Sequence, residues 1–332
     1  MEHHERVSLF PDRLSLILSA VVLAVFSALP LIVKSDYYLH MFILGFMYSV
    51  LGLAWNFIGG EAGQVSFGQA IFFGVGAYVS SAVSVKLGLS PWLGMVVGGV
   101  AAATLAILIG MPTFKIKGFY FTIATLAMGE IAVVLMRRVE YLGGARGFMI
   151  PMLEEGWANF QFHDSKIPYY FISLGLLVIT VCTAWIVKRS KLGFYFRAIR
   201  GDDVAAMSLG IHVSRYKIAA YALSAVFAAF AGSFYAQYTL YIDPDSLMAN
   251  TLSTQFAFMC ILGGICTIPG PIIGAITLIF VQQITMATFG GAKAVHLLIY
   301  GALIIFIALY EPRGIVQIVK SQYSKRRRKR NV

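Results

Sequence analysis

Residues 169–187 read YYFISLGLLVITVCTAWIV, and residues 188–217, which follow directly, read KRSKLGFYFRAIRGDDVAAMSLGIHVSRYK. The first stretch carries no charge and is long enough, at 1.5 Å rise per residue, to cross a hydrocarbon core as a helix. The second carries seven cations: Lys188, Arg189, Lys191, Arg197, Arg200, Arg215 and Lys217. An uncharged run that emerges into a basic segment is the pattern of a spanning helix that exits on the positive side of a bilayer.

The rest of the chain repeats that pattern. Apolar runs of spanning length lie near 14–33, 38–58, 64–85, 91–112, 119–136, 169–187, 217–241, 248–266, 271–290 and 296–310. The expected fold is therefore all-α, a polytopic membrane protein of about ten transmembrane helices. The third and eighth runs are rich in Gly, Ser and Gln and read equally as broken or re-entrant helices. Composition agrees: 59% of the residues are hydrophobic, only 12% are charged and mean hydropathy is +0.78. A soluble domain carries nearer a quarter charged residues. The run from Leu14 to Val33 is too long for a signal-peptide core and reads as a retained helix.

The net charge of +11 would suggest nucleic acid in a soluble protein. Here the cations cluster in two hydrophilic segments, without the aromatic interleaving of a nucleic-acid groove. Beyond 188–217, the tail from Glu311 holds eight more and ends KRRRKR at 325–330, whereas the long segment 137–168 balances four basic with four acidic residues. This predicts that 188–217 and the tail are cytoplasmic and 137–168 external. Ten crossings satisfy both clusters and place both termini inside. The domain reading is a cytoplasmic tail at 1–13, a transmembrane domain at 14–312 with a cytoplasmic loop at 188–216, and a basic cytoplasmic tail at 313–332.

Local punctuation supports these boundaries. Pro91 and Pro168 open helices, and Tyr37, Tyr38, Tyr169 and Tyr170 read as an interfacial aromatic belt. Gly94 with Gly98, and Gly270 with Gly274, have the spacing that lets helix backbones approach closely. Cys182, Cys260 and Cys266 lie in or beside apolar runs without metal-ligand spacing and read as packing residues. No metal and no cofactor are implied. A faint internal echo, Gly59-Gly60 against Gly263-Gly264, fits two inverted halves of five helices.

The basic segment contains a helix of its own. Asp202 or Asp203 can cap its N-terminus, Ala205 and Ala206 favour helix and bring little side chain, and Gly210 suits the left-handed position that ends it. Ser214 is then placed to cap the next long helix. The reading is a two-turn helix parallel to the membrane between two spans; an ordinary basic interhelical loop with a short surface helix fits the same residues.

The D-x-A-A-x(3)-G arrangement resembles the cytoplasmic coupling loop of ABC importer permeases, and the likeness extends along most of the chain. GGEAGQVSFGQA at 59–70 with FGVGAY at 73–78, GFYFTIATLAMGEI at 118–131, RAIR at 197–200 through Gly210 and Ile211 to Lys217, Gly263-Gly264 with Pro269-Gly270-Pro271 and Gly274, and Pro312-Arg313-Gly314 are similar to the ordered blocks of branched-chain amino-acid ABC permeases. The resemblance implies the member paired with a second homologous permease, in the bacterial inner membrane, with two cytoplasmic ATP-binding subunits and an external solute-binding protein. It implies no catalysis by this chain, which has no GxxxxGK[ST] loop. It places ATPase coupling on Arg200, Asp203, Ala205, Ala206 and Gly210. One departure stands out. Where the family's outer loop often reads Thr-Gly-Gly-x-Asp/Asn-Gly, this chain has Leu142-Gly143-Gly144-Ala145-Arg146-Gly147.

Candidates for the solute pathway are Gln64, Ser66, Gln69, Glu130, Gly263 and Gly264. Glu130 is an ionisable residue inside an apolar run, costly unless paired or functional; either it pairs with Arg137 or Arg138, or it acts in transport or gating. Gln64, Ser66 and Gln69 sit at a glycine-rich helix start, where freed backbone groups are tolerated if they line a cavity or pack on protein. Gln255, Gln282 and Gln283 carry the same two readings. The solute expected is a branched-chain or related amino acid; urea or a short amide, or an ion-coupled secondary transporter, are the alternatives. A secondary transporter more often shows several paired ionisable residues within its spans.

Overall fold

The computed structural model describes residues 13–33, 35–116, 118–288, 301–302 and 314–315. Helix α1 (Arg13–Ile32) is followed by α2 (Asp36–Trp55), which runs on into a π-helical turn (Asn56–Glu61). Then come α3 (Gln69–Leu87), α4 (Pro91–Thr113), α5 (Phe119–Arg138) and α6 (Ile167–Arg189). Two short helices, α7 (Lys191–Gly201) and α8 (Asp203–Ser208), lead into the long α9 (Val213–Thr239). The four-residue α10 (Pro244–Leu247), α11 (Asn250–Gly263) and α12 (Pro269–Thr288) complete the described helices.

Among the described residues, seven helices are long and apolar enough to cross a membrane: α2 with its π turn, α3, α4, α5, α6, α9 and α12. This is an all-α polytopic fold; of the expected ten runs, the first (as α1), the eighth and the tenth are not among these seven, and the third is shortened. The third run does not begin at residue 64, because 62–68 is irregular and the helix starts at Gln69. The eighth becomes a 14-residue α11, about 21 Å long and short of a hydrocarbon core of about 30 Å. The tenth run, apart from residues 301–302, and the terminal tails, apart from residues 13, 314 and 315, lie outside the described residues.

Within the bilayer, apolar side chains gain little by leaving lipid for protein, so close backbone approach and interhelical hydrogen bonds do the packing. Helix α3 shows how. A Cβ on Gly94 or Gly98 of α4 would meet the backbone of Ser80 or Gly76, and one on Gly232 of α9 would run into the Phe73 carbonyl. Helix α3 is thus clamped between α4 and α9 along glycine faces, and Ser233 Oγ donates to the Gly76 carbonyl at 3.0 Å. The second glycine pair works the same way: Gly274 lies on the Met259 carbonyl and Gly270 on that of Gly264, closing α11 against α12.

The aromatic belt is half as wide as expected. Tyr37 and Tyr38 are exposed, but Tyr169 and Tyr170 are buried. Tyr170 OH donates to the Phe26 carbonyl at 2.6 Å, and Tyr169 packs among Phe160, Phe162, Phe234 and Tyr238. The phenol found its acceptor in α1, so it had no need of the interface. Segments 139–166 and 191–212 lie at opposite ends of α6. In the former, Phe148 and Met149 pair antiparallel with Ile242 and Tyr241.

Candidate coupling and pathway site

The basic segment folds into two helices, with the expected short one as the second. Asp202 is the cap: its carboxylate accepts from the backbone N–H groups of Val204 and Ala205 at 2.7 and 2.8 Å. At the other end Gly210 has φ +80°, its N–H reaches the Met207 carbonyl at 2.9 Å, and the Ile211 N–H reaches that of Ala206 at 3.1 Å. That pair of bonds is a Schellman motif, which requires a residue without a Cβ penalty at Gly210. A helix of six residues is far too short to persist unaided, and both ends are closed by the chain itself. Ser214 does not cap α9, which begins at Val213 after His212 with no side-chain cap.

The remaining carboxylate has another task. Asp203 pairs with Lys217 on the first turns of α9, and Lys217 is only 4% exposed. Ala206 is buried against Ile199 and Val213, whereas Ala205 is exposed. The two alanines therefore do different work: one lets α8 lie close on α7 and α9, and the other faces away with Val204, Met207 and Leu209. The last three are exposed to 59%, 48% and 80%. The outcome is an anchored helix that presents an apolar face.

Arg200, at the end of α7, is exposed and reaches back onto the π-helical turn. Its guanidinium donates to the Gly60 carbonyl at 3.3 Å and to Cys266 Sγ. Cys266 is a hub rather than the packing residue expected. Its N–H donates to Asn56 Oδ1 at 3.0 Å, its carbonyl accepts from Lys188 Nζ at 2.8 Å, and its thiol donates to the Gly60 carbonyl at 3.2 Å. Lys188 also stands 3.8 Å from the carboxylate of Glu61. The two glycine pairs of the internal echo thus meet at one end of the bundle. A Cβ on Gly59 would overlap the Trp55 ring and one on Gly60 the Asn56 amide, which is why those side chains can fold back over the π turn. Gly314 lies against Gly263 and Gly264 at φ +82°. The segment from Gly59, the loop after α6, the Gly263–Gly264 turn and the Gly314 block, distant in sequence, are one junction beneath α8.

The irregular segment 62–68 is pinned from several sides. Trp55 Nε1 donates to the Ser66 carbonyl at 2.8 Å, Thr122 Oγ1 to that of Val65 at 2.9 Å, and the Phe67 N–H to Thr125 Oγ1 at 3.1 Å. Gln64 is half-buried, while Ser66 and Gln69 are fully buried. Gln69 Nε2 donates to Ser224 Oγ, and its Oε1 has no partner. Gly263 and Gly264 are buried in the α11–α12 hairpin. Gln255 Nε2 donates to Gln282 Oε1 at 3.3 Å, and the Gln283 carbonyl accepts from Tyr37 OH at 3.1 Å. Most of the pathway candidates are thus held inside packed contacts.

Glu130 is different. It is exposed, on the least buried of the seven spans. Of its two expected partners, Arg137 forms its ion pair with Asp245 across the α5–α10 junction. Glu130 Oε1 instead accepts from Asn250 Nδ2 at 2.8 Å, and the same amide donates to the Leu126 carbonyl at 3.1 Å.

Asn56, Cys266, Lys217 and Asn250 are the residues that sequence reasoning missed. Asn56 carried a readable signal, as a carboxamide in an apolar run. At the opposite end, Arg146 is exposed in a loop whose Gly143, Gly144 and Gly147 take positive φ. Nearby, the backbone N–H groups of Asp164 and His163 hold the Glu155 carboxyl below the usual carboxylate range.

Residues 37–308 match the family described as "Branched-chain amino acid transport system / permease component". The high-affinity branched-chain amino acid transport system permease protein LivM of Escherichia coli is 28% identical over 301 residues, covering 84% of this chain and 70% of that protein. LivH of the same organism is 25% identical over 289 residues, covering 82% and 92%. The probable LivM of Methanocaldococcus jannaschii is 22% identical over 328 residues, covering 84% and 93%. With seven membrane-length helices and a family match over most of its length, the chain belongs to the branched-chain amino acid transport system permease family of multi-pass membrane proteins.

Proposed function

We infer that the chain is one of two homologous membrane-spanning subunits of an ATP-driven importer for branched-chain or closely related amino acids. Two different permease proteins of one branched-chain amino acid system in Escherichia coli are similar to this chain, which supports a paired arrangement. ATP is hydrolysed by separate subunits, and an external binding protein delivers the solute.

The observation that carries this reading is α8. A doubly closed helix, ion-paired to α9 through Asp203 and Lys217, offers Val204, Met207 and Leu209 to a partner. Such a face suits a groove on an ATP-binding subunit, and the junction below it provides a route for the pull. Movement of α8 acts on α9 through the buried ion pair. Movement of α7 acts through Arg200 on Gly60 and Cys266, hence on the segment 62–68 that leads into α3.

The basic segment is cytoplasmic and the 139–166 segment external. Charge placement supports this, and Gly314 stands at the same end of the bundle as α8.

The test is uptake of labelled L-leucine into proteoliposomes holding this chain with its partner permease, ATPases and binding protein. ATP-dependent accumulation is expected. Uptake that needs an ion gradient and ignores ATP would contradict the reading.

A further inference from the structure

Glu130 is the one carboxylate in the interior of the seven spans; Asp36 and Glu61 stand at the two ends of theirs. It lies eight residues before the end of α5 at Arg138, so about 12 Å from that end and about 16 Å from the other. A carboxylate at that depth is not left facing lipid; it faces protein or a water-filled path. The other carboxylates that join helices each have a cation: Glu61 has Lys188, Asp203 has Lys217 and Asp245 has Arg137. Glu130 has a neutral amide in direct contact, and Arg137, held by Asp245, acts on it only through space.

That amide is built into place. Asn250 Nδ2 faces two acceptors, Leu126 O and Glu130 Oε1, which fixes which way the carboxamide points. Its Oδ1 is buried without a partner and lies where a Cβ on Gly129 would be. Glycine at 129 is what admits Asn250 to this position. The Asn250 amide orients one oxygen of Glu130 without forming an ion pair with it. An anion prepared in this way, exposed on the least covered span, is suited to a transient cation.

We propose that Glu130, positioned by Asn250 and Gly129, receives the α-ammonium group of the amino acid as it crosses the membrane along the α5–α11 face. This rests on the reading of the chain as an amino-acid permease and adds the group that recognises the solute's positive end. Binding is non-covalent. The ammonium replaces water at Glu130, and the hydrogen bond from the Asn250 amide keeps the carboxylate from following the solute.

The test uses the complete importer in proteoliposomes and reads L-leucine moved per ATP hydrolysed. Glu130→Gln keeps the shape and the acceptor for Asn250 but removes the charge. It should lower the ratio about tenfold or more, since a charged hydrogen bond is lost, and Glu130→Asp should restore part of it. In a second arm, Glu130→Cys should behave like Glu130→Gln. Treatment with 2-sulfonatoethyl methanethiosulfonate should raise its ratio, while the trimethylammonioethyl reagent should not; the parent complex given the same reagents sets the background. Glu130→Gln at the parent ratio, equal responses to the two reagents, or loss of complex assembly in both Gln and Asp variants would overturn the assignment, the last by making Glu130 structural. A parent complex that moves no L-leucine with ATP removes the amino-acid reading itself, which separates the two failures.

Discussion

Asp203 and Lys217 form an ion pair across fourteen residues, joining the first turn of the short α8 to the first turns of the 27-residue α9. The lysine side chain is 6% exposed and that of the aspartate 28%. The asymmetry decides what each substitution does. Asp203→Asn strands a buried ammonium, at a cost of about 3 kcal/mol. Lys217→Met leaves a carboxylate that can reach water and should cost less. Thermal unfolding of the purified chain in detergent should show the larger drop for Asp203→Asn. The reverse order would place the charge burden on the wrong partner.

Asn56, at the start of the π-helical turn after α2, makes three bonds to α11 and the turn before α12: it accepts from the Cys260 thiol and the Cys266 N–H and donates to the Thr267 carbonyl. Asn56→Ala leaves the Cys266 N–H without its acceptor, at about 1–3 kcal/mol. Cys266 should then react with a small maleimide several-fold faster than in the parent chain, read by mass spectrometry of the peptide. An unchanged labelling rate would mean that the hub holds without Asn56.

Glycine substitutions separate close packing from mere helix weakening. A Cβ on Gly263 would strike the Gly270 carbonyl, whereas one on Gly175 of α6 meets nothing within 4 Å. Gly263→Ala should destabilise at the upper end of the range for overpacking, about 3 kcal/mol. Gly175→Ala should be neutral or slightly stabilising. The comparison is made by fluorescence-detected thermal melting, and equal melting points would refute the α11–α12 approach.

Orientation is tested with cysteines in a Cys182→Ser background. Ser165→Cys, in the segment read as external, should label in intact cells with a membrane-impermeant maleimide. Lys191→Cys should label only after the membrane is opened. The opposite pattern would invert the assignment of the two segments.

The membrane class was legible in hydropathy and charge placement, because spanning helices need length and low charge, both of which a sequence displays. Helix starts at Pro91 and Ile167, the cap at Asp202 and the turn at Gly210 were legible too, since each is a local requirement. What failed to show were choices settled by distant neighbours. Tyr169 and Tyr170 look interfacial until α1 and α9 surround them. Glu130 has Arg137 at helical spacing, but Asp245 takes that arginine and Asn250 takes Glu130. The eighth run has the composition of a span but not its length, because the break at Met248 and Ala249 after α10 and the turn at Gly264 bound α11 at its two ends. Gly59-Gly60 and Gly263-Gly264 read as an echo, and only the fold shows them meeting through Asn56 and Cys266.

In the proposed function the exposed face of α8 seats an ATP-binding subunit. It is tested most directly by a photo-crosslinking amino acid placed at Leu209, with a second at Val100 on the exposed flank of α4 as the control. In the assembled complex the Leu209 probe should give an adduct containing the ATP-binding subunit, and the Val100 probe should not. No such adduct from Leu209, or the same adduct from both positions, would contradict the account.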